Sequence, residues 1–246
     1  EAFSLALSYL TIIVVMNSFN LIDGVDGLAG SLGILTMIVF GAYFFAIDFQ
    51  AYALLAFSLA GSLVAFLIFN HQPAKIFMGD SGSLMIGLIN SILVIKFINV
   101  ADAPFVSLQV PAAVAVGFSI LIVPLLDTLR VFSIRILNGR SPFTPDRNHV
   151  HHLLLDRGMS HSAVTLTCVG VNVFFILLAW LAKPIGPNYL LFIMLVLAFS
   201  GLGILYYGNT RRRLVVASDA DGRVKLKKTR KLSSTLVKET GEISKN

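Results

Sequence analysis

Residues 5–27 read LALSYLTIIVVMNSFNLIDGVDG, a long apolar run that ends in two asparagines, two aspartates and two glycines. Asn17, Asn20 and Asp23 are each three residues apart, so on a helix they would share roughly one face. The Asp-Gly pairs are ordinary turn dipeptides, and helix capping accounts for one of the aspartates. Capping does not account for two asparagines inside an apolar helix, because polar groups are costly in hydrocarbon. The stretch therefore predicts a membrane helix that ends at a functional site.

The composition of the chain is that of a polytopic membrane protein. Of 246 residues, 56% are hydrophobic and 13% are charged, whereas a soluble domain has about 25% charged residues. The single cysteine, Cys168, excludes an internal disulfide and a cysteine metal site.

Pro124 should kink the fifth span and free a carbonyl near Ile120 or Leu121. Backbone groups in lipid must pair within their own segment, so we expect an all-α transmembrane helical bundle of seven spans, at roughly residues 4–22, 28–47, 51–70, 83–100, 109–132, 162–182 and 188–207.

The distribution of basic residues predicts the orientation of the bundle. Alternation of the spans places the loops near 20–27, 71–82 and 133–161, and the tail from 208, on one side of the membrane. That side holds 17 of the 19 Lys and Arg residues, so the positive-inside rule makes it cytoplasmic. We expect a transmembrane domain at 1–208 and a basic cytoplasmic tail at 209–246. The tail is either a solvated segment or attracted to anionic lipid, and its Asp221-Gly222 pair favours a small β-hairpin.

Two further polar motifs lie on the same predicted side. FMGDSGSL, at 77–84, opens the fourth span. One interpretation is that Asp80 or Ser81 is a helix N-cap. The other is that Asp80 holds Mg²⁺ beside an anion bound by free backbone N–H groups. PLLDTLRV, at 124–131, places Asp127 one turn inside a helix end and Arg130 three residues later. These two side chains either form a local ion pair, or Asp127 directs Arg130 at a phosphate.

The fourth motif is GRSPFTPDRNHVHHLL, at 139–154, which contains His149, His151 and His152. The loop around it carries four arginines, which would attract anions to this side; they are Arg135, Arg140, Arg147 and Arg157. Binding of a phosphorylated substrate is the favoured interpretation. A zinc site, a pH sensor and a plain solvated loop are the alternatives. The chain has no Walker loop and no dinucleotide fingerprint, and nothing in it suggests nucleic acid.

These motifs, NSFNLIDGVDGLAG, FMGDSGSL, PLLDTLRV and GRSPFTPDRNHVHHLL in this order, resemble one family. It is the polyprenyl-phosphate N-acetylhexosamine-1-phosphate transferases, of the glycosyltransferase family 4 type. The resemblance covers residues 17–154, and the pattern of spans fits to about residue 207. SPFTPDRNHVHH looks like the branch that uses a UDP-N-acetylhexosamine. The phospho-N-acetylmuramoyl-pentapeptide transferase branch usually carries three adjacent histidines and is kept as the alternative.

The resemblance implies a multi-pass enzyme of the bacterial inner membrane with its active site and tail in the cytoplasm. Such an enzyme transfers a sugar 1-phosphate, here N-acetylglucosamine 1-phosphate, from a UDP-sugar to undecaprenyl phosphate and releases UMP. This reaction is the first membrane step of a cell-envelope glycan. The resemblance also implies Mg²⁺, with Mn²⁺ as an alternative, and it is compatible with a homodimer.

The candidate site residues fall into three groups. Asn20 and Asp80 match metal-site residues of the family. The candidate catalytic residues are Asp23, Asp26, His149, His151 and His152. The candidate substrate-binding residues are Asn17, Asp127, Arg130, Arg140 and Arg147.

One family feature is missing from this sequence. The family also carries a paired-Asp motif in its N-terminal half, and no two aspartates are adjacent here. We therefore expect the N-terminal part of the protein to be missing from this chain, and the chain alone to be inactive. Two non-enzyme alternatives remain. A transporter would need polar residues along a path across the bilayer, and a pseudoenzyme subunit would lack the paired aspartates altogether.

Overall fold

The computed structural model describes residues 2–137, 139, 149–207, 213–218 and 224–229. Over these residues the chain is almost entirely helical. The helices are α1 (Ala2–Ile22), α2 (Leu28–Ala46), α3 (Gln50–Asn70), α4 (Gly79–Val100), α5 (Ala113–Ile120), α6 (Ile122–Leu137), α7 (Val150–Leu155), α8 (His161–Ala182) and α9 (Pro187–Tyr207), with a 3-10 turn at Lys183–Ile185.

The long helices have the dimensions of membrane spans. Six of the described helices, α1, α2, α3, α4, α8 and α9, are long and apolar enough to cross a bilayer, and the bent pair α5 and α6 makes up to seven. At 1.5 Å per residue, a helix of about 20 residues matches a hydrocarbon core of about 30 Å. Large apolar side chains such as Phe3, Leu181 and Ile204 stay exposed on the helices, as lipid-facing residues do. The predicted all-α membrane bundle is confirmed.

Helix α2 lies at the centre of the bundle, between α3 and α4. A Cβ added at Gly33 would lie 2.9 Å from Leu63 of α3 and 3.1 Å from Ile86 of α4, so this glycine lets three helices approach closely. Further along α2, the ring of Phe40 meets that of Phe97 edge to face, with 5.9 Å between centroids. These contacts fix α2 and α4 against each other and bring their ends to one site.

The fifth predicted span is broken into two helices rather than kinked. Helices α5 and α6 meet at Leu121 with a bend of 83°. Pro124 has no N–H to donate and its ring clashes with the carbonyl four residues earlier, which is that of Ile120. This freed carbonyl accepts a hydrogen bond of 3.0 Å from Nδ2 of Asn172, on α8. The same side chain accepts one of 3.3 Å from the backbone N–H of Val123, so a single buried amide stabilises both sides of the break.

The chain divides into two compact units, Glu1–Leu202 and Gly203–Asn246. The second unit contains a two-stranded antiparallel sheet, β1 (Arg213–Ser218) and β2 (Val224–Thr229). The register runs from Arg213 opposite Thr229 to Ser218 opposite Val224. The hairpin favoured by the sequence is confirmed in its strands, and the Asp221-Gly222 turn lies outside the described residues.

Candidate active site

The end of α1 and the start of α4 are joined by the first two motifs. Nδ2 of Asn20 donates hydrogen bonds to Oδ1 of Asp80 (3.0 Å) and to Oγ of Ser83 (3.1 Å). Ser83 is buried, and its hydroxyl is shared between the backbone carbonyls of Gly79 and Asp80, each at 3.2 Å. The side chain of Asn20 is thus held by two groups of α4, the Ser83 hydroxyl and the Asp80 carboxylate. Two residues 60 positions apart in sequence, both predicted to hold a metal, are direct neighbours.

Helix α4 begins earlier than expected, which corrects one alternative for Asp80. The fourth span was expected from residue 83, whereas α4 begins at Gly79, and Asp80 lies in its first turn. The N-cap position belongs to Met78, and no side chain caps the helix. The interpretation of Asp80 or Ser81 as an N-cap is therefore wrong. The Asp80 carboxylate is exposed beside Asn20 instead.

A cavity of about 300 Å³ lies between the loop after α1 and the loop before α4. Its wall contains three carboxylates, those of Asp23, Asp26 and Asp80, and no Lys, Arg or His among the described residues. Burial, and to a lesser extent the nearby Asp80 carboxylate, raises the pKa of Asp23 to about 6. The cavity is therefore an acidic site built from oxygen donors.

Asn70, the last residue of α3, fixes the shape of the loop that carries Asp23 and Asp26. Its Oδ1 accepts a hydrogen bond from the N–H of Gly27 (2.9 Å), and its Nδ2 donates to the carbonyl of Ile76 (2.8 Å). Gly27 has φ of 78°, a left-handed conformation that favours glycine. One buried amide thereby ties together the two loops that form the cavity.

The third and fourth motifs meet through Asp127. Its Oδ2 lies 2.8 Å from Nδ1 of His149, and its Oδ1 accepts a hydrogen bond of 2.8 Å from the backbone N–H of Val150. Both residues belong to the start of α7, and both side chains of the Asp127–His149 pair are buried. Both carboxylate oxygens are therefore directed at α7. Arg130, the other candidate partner, is 7% exposed on the same helix.

His151 joins the histidine motif to the first motif. Its ring lies directly against the Cα of Gly24, where an added Cβ would overlap Nε2. The residue is 2% exposed, and burial lowers the pKa of its imidazole to about 4, so the ring is neutral at pH 7. It stacks on His149 with 5.6 Å between centroids and lies 4.3 Å from the ring of His152. His151 thus packs between α7 and the Asp23 loop instead of facing the cavity.

A second contact with this loop comes from the start of α8. Nδ1 of His161 lies 3.2 Å from Oδ2 of Asp26. Oγ1 of Thr165, one turn later, donates a hydrogen bond of 3.2 Å to the backbone carbonyl of Asp26. The backbone of Asp26 is therefore held by α8, and its carboxylate lies at ion-pair distance from His161, whose Nδ1 makes no aligned hydrogen bond.

The remaining candidate residues are placed less directly. Asn17 is exposed, and its Nδ2 donates to the carbonyl of Ile13 on its own helix (2.7 Å). His152 is half-buried at the edge of the histidine stack. Arg140 and Arg147 lie outside the described residues. The contacts of the described residues thus join Asn20, Asp80, Asp127, His149 and His151 to the loop that carries Asp23 and Asp26.

Four polar residues that matter to the site were not among the candidates: Asn70, Ser83, His161 and Asn172. Asn70 carried the same signal as Asn20, an amide at the end of an apolar helix, and could have been found by the same reasoning. Asn172 is one polar residue within a long apolar span, and local sequence does not show its partner. His161 and Ser83 lie in ordinary polar helix starts, where their partners cannot be seen from local sequence.

The donor set determines which metal fits the cavity. Within the described part of the chain, no three His, Cys, Asp or Glu side chains converge as a metal centre, and the histidines stack instead. The cavity offers the carboxylates of Asp80 and Asp23. Asn20 contacts Asp80 through Nδ2, so its amide would have to turn for Oδ1 to reach a cation bound by Asp80. A few oxygen ligands of this kind suit Mg²⁺, which retains waters and binds substrate phosphates.

Comparison with known proteins agrees with these features. Residues 1–98, which contain the first two motifs, match the family model described as glycosyl transferase family 4. Over these residues the chain is similar to that family, and the resemblance drawn from the motifs is confirmed.

Three relatives show the range of similarity. The probable undecaprenyl-phosphate N-acetylglucosaminyl 1-phosphate transferase of Bacillus subtilis (strain 168) is 34% identical over 193 residues, which are 78% of this chain and 51% of that protein. The decaprenyl-phosphate N-acetylglucosaminephosphotransferase of Mycobacterium leprae (strain TN) is 34% identical over 192 residues, 70% of this chain and 47% of that protein. The undecaprenyl-phosphate alpha-N-acetylglucosaminyl 1-phosphate transferase of Yersinia pestis is 26% identical over 217 residues, which cover 86% of this chain and 56% of that protein. The chain spans about half the length of the curated relatives it matches.

Proposed function

We propose that the full-length protein transfers N-acetylglucosamine 1-phosphate from its UDP-sugar to undecaprenyl phosphate, giving undecaprenyl-diphosphate-sugar and UMP. The observation that carries this proposal is the convergence of the four motifs. Asn20 contacts Asp80, Asp127 contacts His149, and His151 packs on Gly24. The names of the three relatives support the N-acetylglucosamine branch over the muramoyl-pentapeptide alternative.

The reaction is a phosphoryl transfer in which the UDP-sugar is the donor and the lipid phosphate is the acceptor. An oxygen of the lipid phosphate forms a bond to the β-phosphorus of the UDP-sugar. The bond from that phosphorus to the bridging oxygen breaks, and UMP leaves with the electron pair. Such a reaction needs mainly positioning and neutralisation of charge. Mg²⁺, when bound, would supply that neutralisation. Asp80 and Asp23 would hold it, joined by Asn20 once its amide turns Oδ1 towards the cation.

The remaining residues bind and orient. Asp26, on the cavity wall, would face the nucleotide-sugar. Asp127 holds His149 and the start of α7, so that His149 and the half-buried His152 would contact the sugar diphosphate with Arg147. His151, because it is buried against Gly24, would position the Asp23 loop instead of touching substrate. Arg130 and Arg140 would add positive charge for the phosphates.

The location follows from the same assignment. We propose that the site and the basic tail lie on the cytoplasmic side of a bacterial inner membrane, where UDP-sugars are found and the lipid phosphate is reached from the bilayer. The positive-inside rule supports this orientation.

The test is transfer from radiolabelled UDP-N-acetylglucosamine to undecaprenyl phosphate in membranes that contain the full-length protein. Wild type should form labelled lipid and release UMP only with Mg²⁺ or Mn²⁺ present. Asp80→Asn should abolish the release, whereas Asp102→Asn, in the loop after α4 and outside the cavity, should retain it. Use of UDP-N-acetylmuramoyl-pentapeptide in place of UDP-N-acetylglucosamine would replace the proposal with its alternative. Unchanged turnover in Asp80→Asn would remove Asp80 from the site.

A further inference from the structure

The first turns of α8 contact the cavity loop through two side chains on one helix face. His161 and Thr165 are four residues apart, so they lie one above the other. Nδ1 of His161 lies 3.2 Å from Oδ2 of Asp26, and Oγ1 of Thr165 donates to the Asp26 carbonyl. Ser160 caps the helix by accepting a hydrogen bond from the N–H of Ala163, which fixes this turn independently of Asp26.

In the described part of the chain, His161 is the side chain at ion-pair distance from the Asp26 carboxylate, in a contact without hydrogen-bond alignment. Among the described residues, no other side chain or backbone donor contacts its oxygens. The loop backbone on either side is already fixed, since Gly27 is bound by Asn70 and Gly24 is packed on His151. What stays adjustable is the Asp26 side chain, which can occupy more than one staggered rotamer. Attraction between His161 and the carboxylate would favour one of these rotamers within a loop that other contacts have already shaped.

Stability alone does not explain the contact. The side chains of His161 and Asp26 are 36% and 20% exposed, and polar pairs this close to solvent contribute little to folding. The pair lies at the edge of the cavity whose wall includes Asp26. Its consequence is therefore local, namely the direction in which one wall carboxylate points.

We propose that His161 is a positioning residue that orients the Asp26 carboxylate toward the nucleotide-sugar. This inference rests on the proposed function, in which Asp26 faces that substrate. It assigns a role to α8, outside all four motifs. It also predicts an effect on one substrate only, because the proposed function assigns Asp26 to the nucleotide-sugar and not to the lipid phosphate.

The experiment measures steady-state kinetics of the full-length protein for UDP-N-acetylglucosamine and for undecaprenyl phosphate separately. His161→Ala should raise the KM for the UDP-sugar by about 10-fold while kcat and the KM for the lipid change by less than about 3-fold. His161→Asn should restore most of the loss, because its amide nitrogen occupies roughly the place of Nδ1. His71→Ala, a change at an exposed histidine of the loop after α3, is the matched control and should behave as wild type. Thermal unfolding of each purified variant reports whether the fold is intact.

The outcomes separate the inference from the function it rests on. Absence of transfer by wild type would overturn the proposed function. Normal transfer with an unchanged UDP-sugar KM in His161→Ala would overturn the role of His161 alone. A lower kcat together with a lower unfolding temperature, neither of them restored by His161→Asn, would show that His161 has only a structural role. That result would also overturn the inference.

Discussion

The contact between α1 and α4 predicts a large effect from the smallest substitution, Gly87→Ala. A Cβ added at Gly87 would lie 2.5 Å from Cα of Met16 and 3.0 Å from the carbonyl oxygen of Val15. Both partners are backbone atoms, which cannot rotate away as a side chain can. Since ordinary contact begins at about 3.4 Å, α1 would have to move by about 1 Å.

This displacement reaches the site because of the positions of the two contact residues. Met16 is one helical turn before Asn20, and Gly87 is one turn after Ser83. Moving the helices apart would lengthen the Asn20 hydrogen bonds to Asp80 and Ser83, now 3.0 and 3.1 Å, beyond bonding distance. Overpacking of this kind costs about 1–3 kcal/mol of stability. A misplacement of about 1 Å at a catalytic group can cost about 100-fold in rate.

The assay pairs the unfolding temperature of the detergent-solubilised protein with Mg²⁺-dependent UMP release. Gly61→Ala is the control, because an added Cβ in the middle of α3 meets no atom within 4 Å and alanine favours the helix. We expect Gly87→Ala to unfold at a lower temperature and to lose about 100-fold in UMP release, while Gly61→Ala keeps both. If the two variants behave alike, the α1–α4 contact does not set the geometry of the site.

Three further predictions address other contacts. Because burial raises the pKa of Asp23 to about 6, protons should compete with Mg²⁺ for this carboxylate, so UMP release should need more Mg²⁺ as the pH falls below that value. The same pH dependence of the Mg²⁺ requirement in Asp23→Asn would contradict the assignment. The same raised pKa means that the contribution of Asp23 to stability increases, not decreases, as the pH falls from about 6 towards 3.8. Gly24→Ala should lower the unfolding temperature by colliding with His151, and adding His151→Ala should restore it, whereas additive losses would refute the packing. Asn172→Ala leaves the Ile120 carbonyl buried without its partner, so urea or thermal unfolding should show a loss of about 1–3 kcal/mol, and an unaltered midpoint would argue against the amide bridge.

The sequence predicts the helices well because their signal is local. Lengths and hydropathy locate the spans to within a few residues, and the missing N–H of Pro124 predicts the freed Ile120 carbonyl. The same local rule cannot tell that the helix breaks by 83° instead of bending slightly. The break is bridged by Asn172, 52 residues from Ile120, and no feature of the Pro124 region points to that residue.

The candidate site was predictable as a set of motifs but not as a set of contacts. Each motif stands out because polar residues are rare in apolar helices, and this indicates that they matter without indicating what they touch. Asp127 has a charged neighbour at i+3 in Arg130, so a local ion pair was a reasonable alternative. The fold directs both Asp127 oxygens to α7 instead. His161 was missed because a histidine at an exposed helix start carries no signal until the loop beside it is known.

The packing of the bundle explains how three carboxylates can share one small cavity. Asp23, Asp26 and Asp80 line about 300 Å³ without a basic residue among the described lining. Burial, with a smaller contribution from repulsion by the Asp80 carboxylate, raises the pKa of Asp23 to about 6. Loops free to move would relieve such repulsion by separating. Here Asn70 binds Gly27, His151 packs on Gly24, and Gly87 seats α4 against the backbone of α1, so the chain cannot relax. The helices therefore hold the carboxylates in place in advance, and in the proposed reaction the cation and diphosphate would bind with little reorganisation of the protein.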